Sequence, residues 1–187
     1  MLPVSRLFSV VVFCLAAVAV FHAQDKRRVS EPTFPPVCAV VHAPLESTPD
    51  GPVVGATAAE QDIVSSEGSS AIASFFSECS GKAIELALGS EIQHNAFLIN
   101  PISFPPGVSL IVDGGVTVYA SRNPMNYQIT PGLPACGTLT TRATSDVCQS
   151  LLTFEGDDNN QANSGLYGYG VLDGQGQPQE PERTARR

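Results

Sequence analysis

Residues 107–121 read GVSLIVDGGVTVYAS, two apolar bursts joined by Asp113-Gly114-Gly115. Asp before Gly favours a tight corner, because Asp bonds its own backbone and Gly accepts left-handed φ. Neither burst carries a charge on either parity, so neither resembles a strand with one wet face. Strands buried on both sides by parallel neighbours read this way. The stretch therefore scans as strand, corner, strand: one bend of a coil that buries its faces only when the next coil stacks on it.

The same rhythm runs through the chain. Apolar bursts recur at 83–88, 96–99, 108–112, 116–120, 151–154 and 166–172. Between them stand Gly89-Ser90, Asn100-Pro101, Pro105-Pro106-Gly107, Asn123-Pro124 and Asp173-Gly174. Short strands at turn-punctuated intervals predict an all-β fold, and periodicity alone leaves a sandwich and a solenoid both open. Upstream, Cys38–His42 reads as a first strand and residues 43–67 as a polar loop. Ile72, Phe75, Phe76 and Cys79 fall at i, i+3, i+4, i+7, which predicts a short helix over 69–79 with Ser69 or Ser70 as its cap. A helix before the first coils suits a solenoid, whose end needs a cover.

Composition narrows the class. The chain has 187 residues, 43% hydrophobic and 15% charged, with Gly 16 and Pro 15. A core is affordable, and Gly and Pro disfavour a helical bundle. Net charge is −8, which argues against nucleic acid as a partner. Residues 7–20 (LFSVVVFCLAAVAV) follow Arg6 and precede small residues and a charged run. This predicts a signal peptide over 1–23, cut after Ala19 or Ala23; an uncleaved anchor is the alternative. Residues 24–37 form a polar lead-in, 38–176 the coils, and 177–187 a disordered tail. Secretion is the implied address, with no membrane contact after cleavage. Cys14 leaves with the signal, so Cys38, Cys79, Cys136 and Cys148 remain as an even set. Of three pairings, the nested local one is chosen: Cys38 with Cys79 and Cys136 with Cys148.

As a set, three stretches resemble glycoside hydrolase family 28, the polygalacturonases and related pectinases. Residues 83–116 are similar to its opening rungs, and 120–127 (ASRNPMNY) resembles the segment after its second rung. Residues 168–176 (GYGVLDGQG) resemble its Gly-x-Gly-x-Ile-Asp-Gly-x-Gly rung, and the helix with Cys79 its cap. The resemblance covers Cys38 to Gly176. It implies a right-handed parallel β-helix and, in full-length members, hydrolysis of a pectic polysaccharide. The implied chemistry is inverting, with two carboxyl groups ~6.5–9.5 Å apart, one releasing the leaving group and one activating water. The family's Asn-Thr-Asp, Asp-Asp, Gly-His-Gly and Arg-x-Lys motifs lie beyond the last rung matched here. The chain stops at Arg187 without them, so the expectation is an amino-terminal fragment with no catalytic residue of its own. The alternative is a short secreted β-solenoid that binds without catalysis.

Remaining candidates are weaker. Gly156-Asp157-Asp158 mimics the catalytic Asp-Asp, but Asn159-Asn160-Gln161 follows where the family has an apolar strand, so a solvated acidic pair is expected. His22, His42 and His94 are scattered, there is no Cys-x-x-Cys, and neither metal nor cofactor is expected. Glu85 should point outward from its strand, and Asp113 and Asp173 should serve corners. From Val29 to Gly176 only Lys82, Arg122 and Arg142 oppose fifteen Asp or Glu, which should repel a polyanion. An open last coil should also self-associate through its strand edges.

Overall fold

In the computed structural model, residues 33–91, 93–129, 136, 148–156 and 164–175 are described. The signal peptide, most of the lead-in and the tail expected from sequence lie outside them, as do Asp157, Asp158 and Gly176. Strands β1 (Val37–His42), β2 (Leu45–Thr48) and β3 (Gly51–Pro52) come first, then helix α1 (Ala58–Ala73). They are followed by β4 (Ala83–Ala87), β5 (His94–Ile99), β6 (Ile102–Phe104), β7 (Ser109–Val112) and β8 (Thr117–Ala120). A 3-10 turn (Pro124–Tyr127) and β9 (Leu152–Phe154), β10 (Leu166–Gly168) and β11 (Val171–Asp173) complete the described chain.

Every third strand returns to the same sheet. One sheet runs β1-β4-β7-β10, a second β11-β8-β5-β2-β3, and a third pairs β6 with β9. All pairs are parallel except β2 with β3 and β2 with β5. This is a parallel β-helix with three faces, and the sandwich is excluded. Residues 107–121 form the predicted strand, corner, strand: β7 and β8 flank the Asp113–Gly115 turn, with the Val116 N–H donating to the Asp113 carbonyl.

In-register stacking makes the core a set of ladders. Ile84 stands beneath Leu110 and Leu110 beneath Leu166; Phe97, Val118 and Leu172 stack likewise. On the third face Phe104 stacks on Phe154 at 4.8 Å between ring centroids, and Phe76 meets Phe104 at 5.1 Å. Such pairs contribute about 0.5–1.5 kcal/mol beyond burial. The outer side of β5 and β8 is buried as well: Ala96, Leu98 and Tyr119 pack against Leu45, Val54 and Val64. The charge-free bursts thus have two causes, parallel neighbours and a second layer laid over the sheet.

Three sequence readings are corrected. The loop expected over 43–67 contains β2, β3 and the first turns of α1. The helix begins at Thr57, not Ser69 or Ser70, and ends at Ala73; 74–78 are turns. Its start is a capping box: the Thr57 side chain accepts from the Glu60 N–H, and the Glu60 carboxylate accepts from the Thr57 N–H. Residues 58–68 lack an apolar stripe because α1 touches the coils mainly through small groups. Gly68 allows the closest approach, since a Cβ there would overlap the Leu98 carbonyl. Ile72, Phe75, Phe76 and Cys79 do enter the core as their spacing predicts, the last three from the turns. Finally, the burst 166–172 is two strands separated by Tyr169 and Gly170; Gly168, which ends β10, has φ +110, and a Cβ there would overlap the Val112 backbone.

Candidate functional site

A cleft of about 550 Å³ opens beside the second sheet. The β2–β3 hairpin supplies one lip with Asp50 and Pro52, and the first turns of α1 supply Gln61 and Asp62. Leu98 forms part of the floor, and the segment leaving β8 brings Ser121, Arg122 and Asn123 to the opposite wall. Gln175 closes the end nearest the last described coil.

The wall after β8 is fixed by amides. Asn123 Nδ2 donates to Asp62 Oδ2 at 2.8 Å. Asn126 Nδ2 donates to Asn100 Oδ1 at 2.8 Å and to Ser121 Oγ at 2.9 Å, and lies 3.3 Å from Asp62 Oδ1. The Tyr127 hydroxyl donates to the Ser121 carbonyl at 3.0 Å, and its burial pushes that hydroxyl's pKa up. Asn100 in turn receives Ser69 of the helix, its N–H donating to Ser69 Oγ at 2.7 Å. One carboxylate, three amides and three hydroxyls therefore join α1, the exit of β5 and the exit of β8. Among the described residues no buried side-chain polar atom lacks a partner.

The other candidates stay apart from this cleft. Cys38 is bonded to Cys79 and Cys136 to Cys148, linking β1 to the turns after α1 and closing a 12-residue separation, respectively. His42 is exposed, its Nδ1 2.8 Å from the Leu88 carbonyl, and His94 faces Glu91 at 3.5 Å. Glu85 points outward, as alternation predicts, and its carboxyl pKa is raised by desolvation first, then by the hydrogen-bonded Asp113 carboxylate one coil on. Asp173 Oδ1 accepts from the Gln175 N–H at 2.7 Å, a corner role. Among the described residues no three His, Cys, Asp or Glu are grouped to hold a metal. Asp62, Asn100 and Asn126 went unnoticed as a set in the sequence. The Thr57-x-x-Glu60 box and the amide-rich 123–126 were the available signals, but their meeting spans 61 residues.

Three faces of stacked parallel strands with a covered flank define the class: a parallel β-helix of the pectin-lyase type. No family profile matches the chain. An endo-polygalacturonase of Pectobacterium carotovorum subsp. carotovorum is 34% identical over 155 residues, which are 82% of this chain and 31% of that relative. The enzyme of the same name from Pectobacterium parmentieri is 33% identical over the same shares. A polygalacturonase of Ralstonia solanacearum is 38% identical over 96 residues. The solved polygalacturonase of Erwinia carotovora ssp. carotovora superposes with a TM-score of 0.54 at 31% identity, covering 82% of this chain and 33% of that one. Over 82% of its length the chain is thus similar to polygalacturonases of glycoside hydrolase family 28, and it spans about a third of the length of the Pectobacterium and Erwinia proteins it matches.

Proposed function

We propose that these residues are the amino-terminal coils of a secreted polygalacturonase-type hydrolase, and that the chain alone does not turn over pectic polysaccharide. The observation that carries this is the partial match: the Pectobacterium relatives are aligned over 31% of their length, and none of the family's catalytic motifs occurs in order in the sequence. The coils and their amide latch then form a scaffold on which later coils would place the two carboxyl groups that inversion needs. Charge supports the same reading. With fifteen acids against three bases from Val29 to Gly176, this portion would need a basic cleft supplied elsewhere to hold a polygalacturonate chain firmly. The two disulfides fit an oxidising, extracellular setting, which supports secretion.

The reading is tested by sequencing the DNA downstream of Arg187 and by a reducing-end assay on polygalacturonate. A frame encoding Asn-Thr-Asp, Asp-Asp, Gly-His-Gly and Arg-x-Lys, with no release above a blank from the 187-residue chain, is expected. A long non-coding stretch would favour a binding module without catalysis, and measurable release would overturn the predicted inactivity.

A further inference from the structure

The segment before β1 ties together strands that are not neighbours. In the order β1-β4-β7-β10, three inter-strand steps separate β1 from β10, a rise of about 14 Å at ~4.8 Å per step. Phe34 nevertheless meets β10 and the turn after it. Its ring centroid stands 5.7 Å from that of Tyr167 and 6.1 Å from that of Tyr169, both tilted. The three residues from Phe34 to Val37 reach at most ~10 Å, so residues 34–36 run up the coil axis and the rings close the remaining distance. Proline fixes φ, so Pro35-Pro36 makes this strap stiff, and its lower end is held where the Pro36 carbonyl accepts from the Ala83 N–H at 2.9 Å.

Alternation turns Val40, Glu85, Ile111 and Tyr167 outward as one ladder across the same sheet. Burial rises along it toward the strap: Val40 is 43% exposed and Ile111 only 4%. A buried Ile on the outer side needs a cover, and the rings of Tyr167 and Phe34 stand at that end of the ladder. Stacked coils ordinarily couple to adjacent coils alone, whereas these two ring contacts join the first strand of the sheet to its last described one. We propose that Phe34 is a clasp: the strap closes over the outer face once β10 is in place, and in return holds the last described coil against opening. Help counts most there, since β10 and β11 have a strand on one side only among the described residues. The clasp is independent of the catalytic reading of the chain.

Amide hydrogen exchange of the 187-residue chain tests it. The Tyr169 and Gly170 N–H groups both donate to the Val112 carbonyl and report on opening of this coil. Phe34→Ala should speed their exchange roughly three- to tenfold, the loss expected for aromatic pairs, with β5 and β8 unchanged. Phe34→Tyr keeps the ring and should keep the native rates. Coupling is reciprocal, so Tyr167→Ala should speed exchange in β1. Combining Phe34→Ala with Tyr167→Ala should then give less than the product of the two single effects. Unchanged exchange at Tyr169 and Gly170 in Phe34→Ala would overturn the proposal. So would an equal rise in β5 and β8, which marks general destabilisation, or full multiplication of the single effects. Should Tyr167→Ala fail to fold, the comparison of Phe34→Ala with Phe34→Tyr decides, since equal rates in those two would also refute the clasp.

Discussion

Glu85 and Asp113 place two carboxyl groups within hydrogen-bond reach on adjacent coils. Ile84 and Leu86 must face the core, which leaves Glu85 outward by alternation, and parallel stacking then carries the Asp113 corner over it. Half-burial and the neighbouring charge both favour a protonated Glu85. Its folded-state pKa lies above its unfolded one, so its contribution is fully present below the unfolded value and is lost as pH rises through the raised one. Glu60 runs the opposite way: the Thr57 backbone N–H, then its hydroxyl, lowers its pKa, so its contribution is lost on acidification. Replacing Glu85 isolates one effect. Glu85→Gln should raise Tm at pH 7, where the native chain otherwise holds two like charges together, and the gain should shrink by pH 4. Thermal unfolding of both chains at the two pH values checks this; an equal Tm difference at both would refute it. Alternation made the outward direction of Glu85 readable from sequence. Its partner was not, because Asp113 is 28 positions away and meets it only through the coil period.

Helix α1 is bound to the coils more by polar contacts than by an apolar stripe. Ser65, Ser69 and Asp62 reach Asn100, Asn123 and Asn126, while Gly68 lets the helix settle on β5. That is why periodicity located only its final turn, where Ile72 enters the core, and missed its start. The latch makes a testable demand. Asn126→Ala removes the donor shared by Asn100 and Ser121 and should cost about 1–3 kcal/mol, the penalty for part-buried polar groups left without partners. Urea unfolding should show the midpoint falling with an unchanged m-value; a loss below ~0.5 kcal/mol would mean that surface solvation replaces the contacts.

For the molecule as a whole, each coil covers the one before it. Ile84 and Leu110 are fully buried, whereas Leu166, next in the same ladder, is 43% exposed, and Leu172 above Val118 is 42% exposed. Among the described residues, strands β10 and β11 are also the edges of their sheets. Apolar side chains on edge strands invite strand addition, so the 187-residue chain taken by itself is predicted to self-associate through this end. Leu166→Lys with Leu172→Lys should shift sedimentation toward the monomer without changing the circular dichroism. Unchanged association would place the contact elsewhere.

Burst and corner, read along 107–121, already contained the strand–corner–strand unit, because burial on both faces and tight corners are local requirements written residue by residue, whereas the choice of a coil over a sandwich waited for the parallel stacking order. The even set of cysteines and the family likeness were legible for the same reason. The cleft was not. Asp62, Arg122 and Gln175 come to line one cleft only once the coils have stacked and α1 has been laid across them, and no local pattern records which distant side chains that stacking brings together.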